Sequence, residues 1–237
     1  APARRSTRRR LNRMFVGLDG YPKGWVAVWL DEHRQPKITF LHSIRELFDR
    51  PFKSAMIDIP IGLPESGYRA CDVEGKEYLV QNRSRVFTGA RRPLLSFADR
   101  GDAHAWAKAT DGKGVSCQLF CLNEKIKQVD DVMTPENQKK LRETHPELAF
   151  QRLNGGRSLP NKKTPEGAEA RRRILLKNGF SSIDALLAQR IGKGAKADDI
   201  LDACVCAIVA KEANVNHRFP QKPQEPDSKG LKMEIWF

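Results

Sequence analysis

Three apolar segments of the chain end in, or open on, carboxylates. Met14-Phe15-Val16-Gly17-Leu18 runs into Asp19, and Ala55-Met56-Ile57 runs into Asp58. Asp198-Asp199-Ile200-Leu201-Asp202 opens an apolar run from Ala203 to Ala210. An ionised carboxylate is not left in an apolar interior without a cation or a donor to compensate it. Acids repeated at the ends of core elements therefore predict one convergent site that holds a divalent metal. Two bare carboxylates ~4 Å apart repel by about 4 kcal/mol at an effective dielectric near 20. Mg²⁺ or Mn²⁺ prefers oxygen ligands and removes that repulsion. Two such ions ~3.5–4 Å apart activate a water and stabilise the leaving oxygen in phosphodiester hydrolysis.

The acids differ in how firmly they carry this reading. Asp19 also suits the turn Gly20-Tyr21-Pro22 that follows it, because Asp favours turns. Asp58 is a poor choice inside an apolar strand. Asp199 and Asp202 share a helix face at i, i+3 spacing, which leaves Asp198 as the helix cap. Glu147, in His145-Pro146-Glu147, is the candidate fourth ligand, offered from a fifth strand; the rival reading makes it a surface strand residue. Glu143 reads as a helix-surface acid and His145 as structural. Arg69, Arg83, Arg85 and Lys125 are candidate substrate contacts, since arginine suits bidentate phosphate recognition. Taken one at a time, each reads more readily as a solvated or salt-bridged side chain, and only as a group do they line a phosphate path.

The elements that must position these residues follow in a specific order. Residues 14–19 and Trp25-Val26-Ala27-Val28-Trp29-Leu30 read as strands joined by a Gly/Pro turn. A polar turn from Asp31 to Gln35 leads to a third strand, Lys37-Ile38-Thr39-Phe40-Leu41. Ser43 and Glu46 make a capping box for a short helix from Ile44 to Phe48. Ser54 to Ile59, apolar on both faces, reads as a central parallel strand. Residues 65–141, approximately, read as helices and loops, and a fifth strand is expected near Glu147-Leu148-Ala149-Phe150. Pro165 opens a basic helix, Ser182 to Ala188 a short one and Ala197 to Ala213 a long one, and Leu231 to Phe237 is expected to add an edge strand. The order predicts an α/β fold of RNase H-like type. Its mixed five-stranded sheet has three antiparallel strands and then parallel ones, flanked by helices and carrying a helical insertion.

With those residues in place, the chain resembles a family of unknown function described as predicted RNase H-like nucleases. The resemblance rests on Val16-Gly17-Leu18-Asp19-Gly20 with Gly24-Trp25, on Ile57-Asp58-Ile59-Pro60-Ile61-Gly62-Leu63, and on Ser84-Arg85-Val86-Phe87. It continues through Lys125-Ile126 with Val129-Asp130, His145-Pro146-Glu147, Leu153-Asn154-Gly155-Gly156, Asp198 to Ala203, and Gly230 to Ile235. Asp199-Ile200-Leu201-Asp202-Ala203 is also similar to the terminal helix motif of Holliday-junction resolvases, in which two acids three apart help bind metal. The resemblance implies a nuclease acting on DNA or RNA.

Two other activities fit parts of the pattern. Asp19 to Trp25 is similar to the phosphate hairpin of sugar kinases and actin-like ATPases, which close two such domains over a nucleotide. A basic scaffold that binds nucleic acid or protein without turnover is the non-enzymatic alternative. The 237 residues are 40% hydrophobic, enough for a real core, and the expectation is one domain over 14–237. Net charge is +13, and Arg4, Arg5, Arg8, Arg9, Arg10 and Arg13 stand in a 13-residue stretch without an acid. That stretch reads as a disordered basic arm, and with a body that is itself basic it makes nucleic acid the expected partner. No apolar run reaches the ~20 residues of a membrane span, and no signal peptide is read. Five cysteines without zinc-ligand spacing suit a reducing cytoplasm.

Overall fold

The computed structural model describes residues 14–33 and 36–237. The basic arm of residues 1–13 and Arg34-Gln35 of the polar turn lie outside the described residues. Strand β1 (Phe15–Tyr21) pairs antiparallel with β2 (Gly24–Leu30), in register from Phe15 opposite Leu30 to Tyr21 opposite Gly24. β3 (Pro36–Leu41) pairs antiparallel with β2. On the other side of β1, β4 (Ser54–Ile57) and then β5 (Leu141–Glu143) run parallel to it. The sheet order β3-β2-β1-β4-β5 is the mixed arrangement expected from the sequence. Between β3 and β4, Ser43 and Glu46 form their capping box at a 3-10 turn, Ile44–Leu47.

Between β4 and β5 lie the helices α1 (Ala70–Leu79), α2 (Arg100–Asp111), α3 (Cys117–Cys121), α4 (Asn123–Asp130) and α5 (Pro135–Gln138). After β5 come α6 (Pro146–Leu153), α7 (Pro165–Lys177), α8 (Ile183–Ala188) and α9 (Ala197–Glu212). The sheet separates two cores, as strand alternation requires. Phe15, Tyr21 and Met56 pack with α6, α8 and the apolar length of α9. Val16, Leu18 and Ile57 pack on the opposite face with residues of α2, α3 and α4. Among the described residues no helix is long and apolar enough to cross a membrane.

Two local expectations need correction. The fifth strand is Leu141–Glu143, and the segment around Glu147 is helix α6 instead. Pro146 stands in the first turn of α6, where its missing N–H costs nothing. Leu148, Ala149 and Phe150 are all fully buried, so the run has no polar face from which a period can be read. At the C-terminus only Ile235–Trp236 is a strand. It pairs with Arg218–Phe219 in a separate two-stranded sheet and touches the main fold through a bridge from Trp236 to Thr144.

Candidate active site

Alternation along β1 and β4 decides which way the acids face. Phe15 and Tyr21, on the same face of β1 as Asp19, belong to the core beneath α9, and so does Met56, two residues before Asp58. Asp19 and Asp58 therefore turn toward α9. Leu18 is registered with Ile57, and the Asp58 amide donates to the Leu18 carbonyl at 3.1 Å. Asp58 thus extends the parallel ladder by one residue, beside Asp19 on a strand about 4.8 Å away.

A glycine brings the third acid in. A Cβ on Gly17 would lie 2.0 Å from the Ala203 carbonyl oxygen and 2.2 Å from the Ala207 nitrogen. Only a residue without a side chain lets the α9 backbone lie directly on β1. That contact sets Asp202, the neighbour of Ala203, over the end of the strand, where it is 1% exposed. Asp19 and Asp58 are partly exposed at the mouth.

The charges do not balance. Lys162 donates from Nζ to Oδ2 of Asp202 at 2.5 Å, while Oδ1 of Asp202 is buried without a hydrogen-bond partner. Burial first, then the Asp58 and Asp202 charges, holds Asp19 well above the usual carboxylate range. Asp58 is raised by burial, with His145 and Lys162 working against the rise. Burial pushes Asp202 up to about 7 even with Lys162 opposing it. For Lys162, burial works to lower its pKa, but Asp202, Asp19 and Asp58 outweigh it and keep the ammonium protonated. Among the described residues, Lys162 makes the salt bridge at these three acids, and it reaches Asp202.

The remaining predicted residues divide. Asp199 is drawn up by burial and adds to the field at Asp19. Its Oδ2, however, accepts the Lys196 amide at 2.7 Å, so Asp199 rather than Asp198 caps α9. Glu147 stands in the first turn of α6, not on a strand, and both its oxygens accept from Nη2 of Arg171, at 2.7 and 2.8 Å. It also pairs with Arg85, so it is committed to cations and is not a spare ligand. Arg69 is 2% exposed and grips Asp72 and Glu143, which removes it from any substrate path. Glu143 is buried on β5, not on a helix surface. Arg85 also reaches the Leu159 carbonyl at 3.4 Å, and Arg83 is exposed on the 3-10 turn Val80–Arg85. Lys125 lies beside the residue that follows Asp19: a Cβ on Gly20 would lie 3.7 Å from the lysine Cδ. Its Nζ donates to the Gly24 carbonyl at 2.7 Å and lies 4.6 Å from the centre of the Trp25 ring. Burial lowers its pKa, while Asp19 acts to raise it. His145 bonds through Nε2 to the Arg85 carbonyl at 3.2 Å.

Sequence reasoning passed over Lys162. In Asn161-Lys162-Lys163-Thr164 nothing separates the partly buried lysine from its exposed neighbour. The available signal was indirect: buried acids demand a cation from somewhere.

The acids fit a hard divalent cation in charge and in donor type. They are carboxylate oxygens, in excess over the local cation, and one is buried and unsatisfied. They are not gathered into a ready cage, because among the described residues no three His, Cys, Asp or Glu side chains stand close enough to hold an ion.

A family described as a protein of unknown function (DUF429) matches residues 17–225. The chain belongs to that family. The match runs from the β1 glycine through α9, so all four aspartates and Lys162 fall inside it. No curated protein and no solved structure matches the chain.

Proposed function

We propose that this DUF429 chain is a metal-dependent phosphodiester hydrolase, a nuclease on an RNase H-like fold. The observation that carries the reading is Asp202, buried at the end of β1 with one oxygen on Lys162 and the other unpaired. The charges of Asp58 and Asp202 act on Asp19, and that of Asp58 acts on Asp202. Acids at the end of the first strand, after the adjoining parallel strand and on the last long helix also match the RNase H-like resemblance in position. Asp19, Asp58 and Asp202 would hold Mg²⁺ or Mn²⁺, with the free oxygen of Asp199 beside them. Such an ion supplies an activated water at neutral pH and neutralises charge on the leaving oxygen. The partly exposed Asp19 and Asp58 give a phosphodiester access to the buried acid, and Lys125 adds positive charge on the side of Asp19. Nucleic acid, DNA or RNA, is the substrate class.

The Lys162–Asp202 bridge favours a second reading, in which the acids are neutralised internally and the protein binds nucleic acid without turnover. Incubation with plasmid DNA, single-stranded DNA and RNA, in Mn²⁺ or in chelator, separates the two. The hydrolase reading predicts Mn²⁺-dependent cleavage that falls about a hundredfold or more in Asp58→Asn. Salt-sensitive binding with no cleavage would support the scaffold instead. Cleavage that survives both chelation and the substitution would remove the metal mechanism.

A further inference from the structure

The loop that carries Lys162 is built with unusual care for a surface segment. Three successive carbonyls just before it are each held by side chains from elsewhere in the sequence or from the helix that follows. Leu159 accepts from Nδ2 of Asn82 at 3.2 Å and from Nη2 of Arg85 at 3.4 Å. Pro160 accepts from Nη1 of Arg171 at 3.0 Å, and Asn161 accepts from Oγ1 of Thr164 at 2.8 Å. Arg171 is itself fixed by Glu147 and by the Gly167 carbonyl at 2.8 Å. A Cβ on Gly167 would lie 1.9 Å from the Asn161 oxygen, so the first turn of α7 is pressed against the loop. The pair of Arg171 with Glu147, the latter read from sequence as a candidate ligand, is the mount of this loop.

What the mount presents is a single ammonium. The backbone at Lys162 is fixed, but its side chain is 32% exposed against 1% for Asp202, and a lysine stem of four carbons can swing. A buried ion pair contributes little to stability over an apolar pair of similar volume, so stability alone gives a weak reason to build it. Its position among three acids gives a stronger one.

We propose that Lys162 is the resident cation of the site and a catalytic residue. It holds Asp202 while no divalent ion is bound, gives up that carboxylate when the ion enters, and then places its ammonium on a non-bridging oxygen of the substrate phosphate. The proposal rests on the metal-dependent reading above. It explains why the carboxylates do not form a ready cage: the lysine stands where the ion's charge would act.

Calorimetric titration of Mn²⁺ into wild type, Lys162→Met and Lys162→Arg tests it, with cleavage rates measured in parallel. Removing a positive charge about 5 Å from a dication predicts about tenfold tighter Mn²⁺ binding in Lys162→Met. The loss of a phosphate donor predicts a kcat lower by about a hundredfold, partly recovered in Lys162→Arg. A second measurement needs no variant. Acylation of Lys162 in the wild-type chain, read by mass spectrometry, rises when Mn²⁺ frees it from Asp202 and falls again when a phosphodiester is added. If wild type binds Mn²⁺ and cleaves, yet Lys162→Met equals it in both and Lys162 acylation ignores Mn²⁺, the role of Lys162 is overturned and the hydrolase reading stands. If wild type neither binds Mn²⁺ nor cleaves, the hydrolase reading falls and takes this proposal with it.

Discussion

Two buried carboxylate clusters flank β4, and they are finished in opposite ways. Around Arg69, every carboxylate oxygen has a donor. Asp72 accepts from Nε and Nη2 of Arg69. Glu143 accepts from Nη1 and Nη2 of Arg69 at 2.6 and 2.8 Å and from the Ile61 amide at 2.7 Å. Around Lys162, among the described residues, the ammonium bridges Asp202 while Asp19 and Asp58 stand nearby, and an oxygen of Asp202 has no partner. The first cluster fastens the Ile59 to Leu63 loop to β5 and closes on itself. The second is open toward solvent through Asp19 and Asp58. A fully satisfied network rigidifies a fold, whereas each unsatisfied buried group costs desolvation energy unless a water, an ion or a catalytic role accounts for it.

That contrast breaks most visibly in stability. Arg69→Met removes the guanidinium that grips Asp72 and Glu143 and leaves two buried acids without it. Chemical denaturation should show a loss of about 3–5 kcal/mol. A loss below 1 kcal/mol would mean the closed cluster is not structural and the comparison fails.

Glu147→Gln sharpens the boundary between the two. Burial would raise the Glu147 carboxyl, but Arg171 and Arg85 outweigh it and hold it below its ordinary value of 4.5. A carboxyl depressed in the folded state stabilises the fold at pH above its unfolded value, and that contribution is lost as pH falls through the folded one. The variant should be less stable than wild type by about 2 kcal/mol at pH 7. The difference should close as both are taken below pH 4.5, through the depressed folded value of the wild-type carboxyl. Direct binding of Mn²⁺ by Glu147, contrary to its commitment to two arginines, would show instead as affinity lost in the variant out of proportion to any shift of the Lys162 loop.

The smallest effect has the opposite sign. Asp19→Asn relieves like-charge repulsion in the open cluster and keeps the bond that Oδ1 accepts from the Gly20 amide, which is 2.8 Å in the wild type. Without metal it should be more stable than wild type by about 1 kcal/mol, with cleavage lost. A functional site gains stability when its acids are removed; a structural one loses it.

The open cluster was the more legible of the two from sequence, and the reason is physical. Asp19, Asp58 and Asp202 each interrupt or end an apolar run, so each is an anomaly that solvation alone marks. Gly17 was legible as part of a motif but not as the contact that docks α9, because close approach is a property of the partner backbone. Glu143 and Arg69 sit in mixed polar sequence, where burial leaves no local trace. Strand β5 is only three residues long, too short to show a period, and α6 is apolar where it is buried on all sides. Lys162 was invisible for a different reason. Its placement depends on a tertiary mount built from Asn82, Arg85, Glu147 and Arg171, and no spacing within its own segment encodes that.

The most direct test of the acids as a cation site is anomalous diffraction from crystals soaked in Mn²⁺. The account predicts a manganese peak bounded by the carboxylates of Asp19, Asp58 and Asp202, with Lys162 displaced from Asp202. Crystals that bind no manganese there at millimolar concentration, with the Lys162–Asp202 bridge intact, would contradict it.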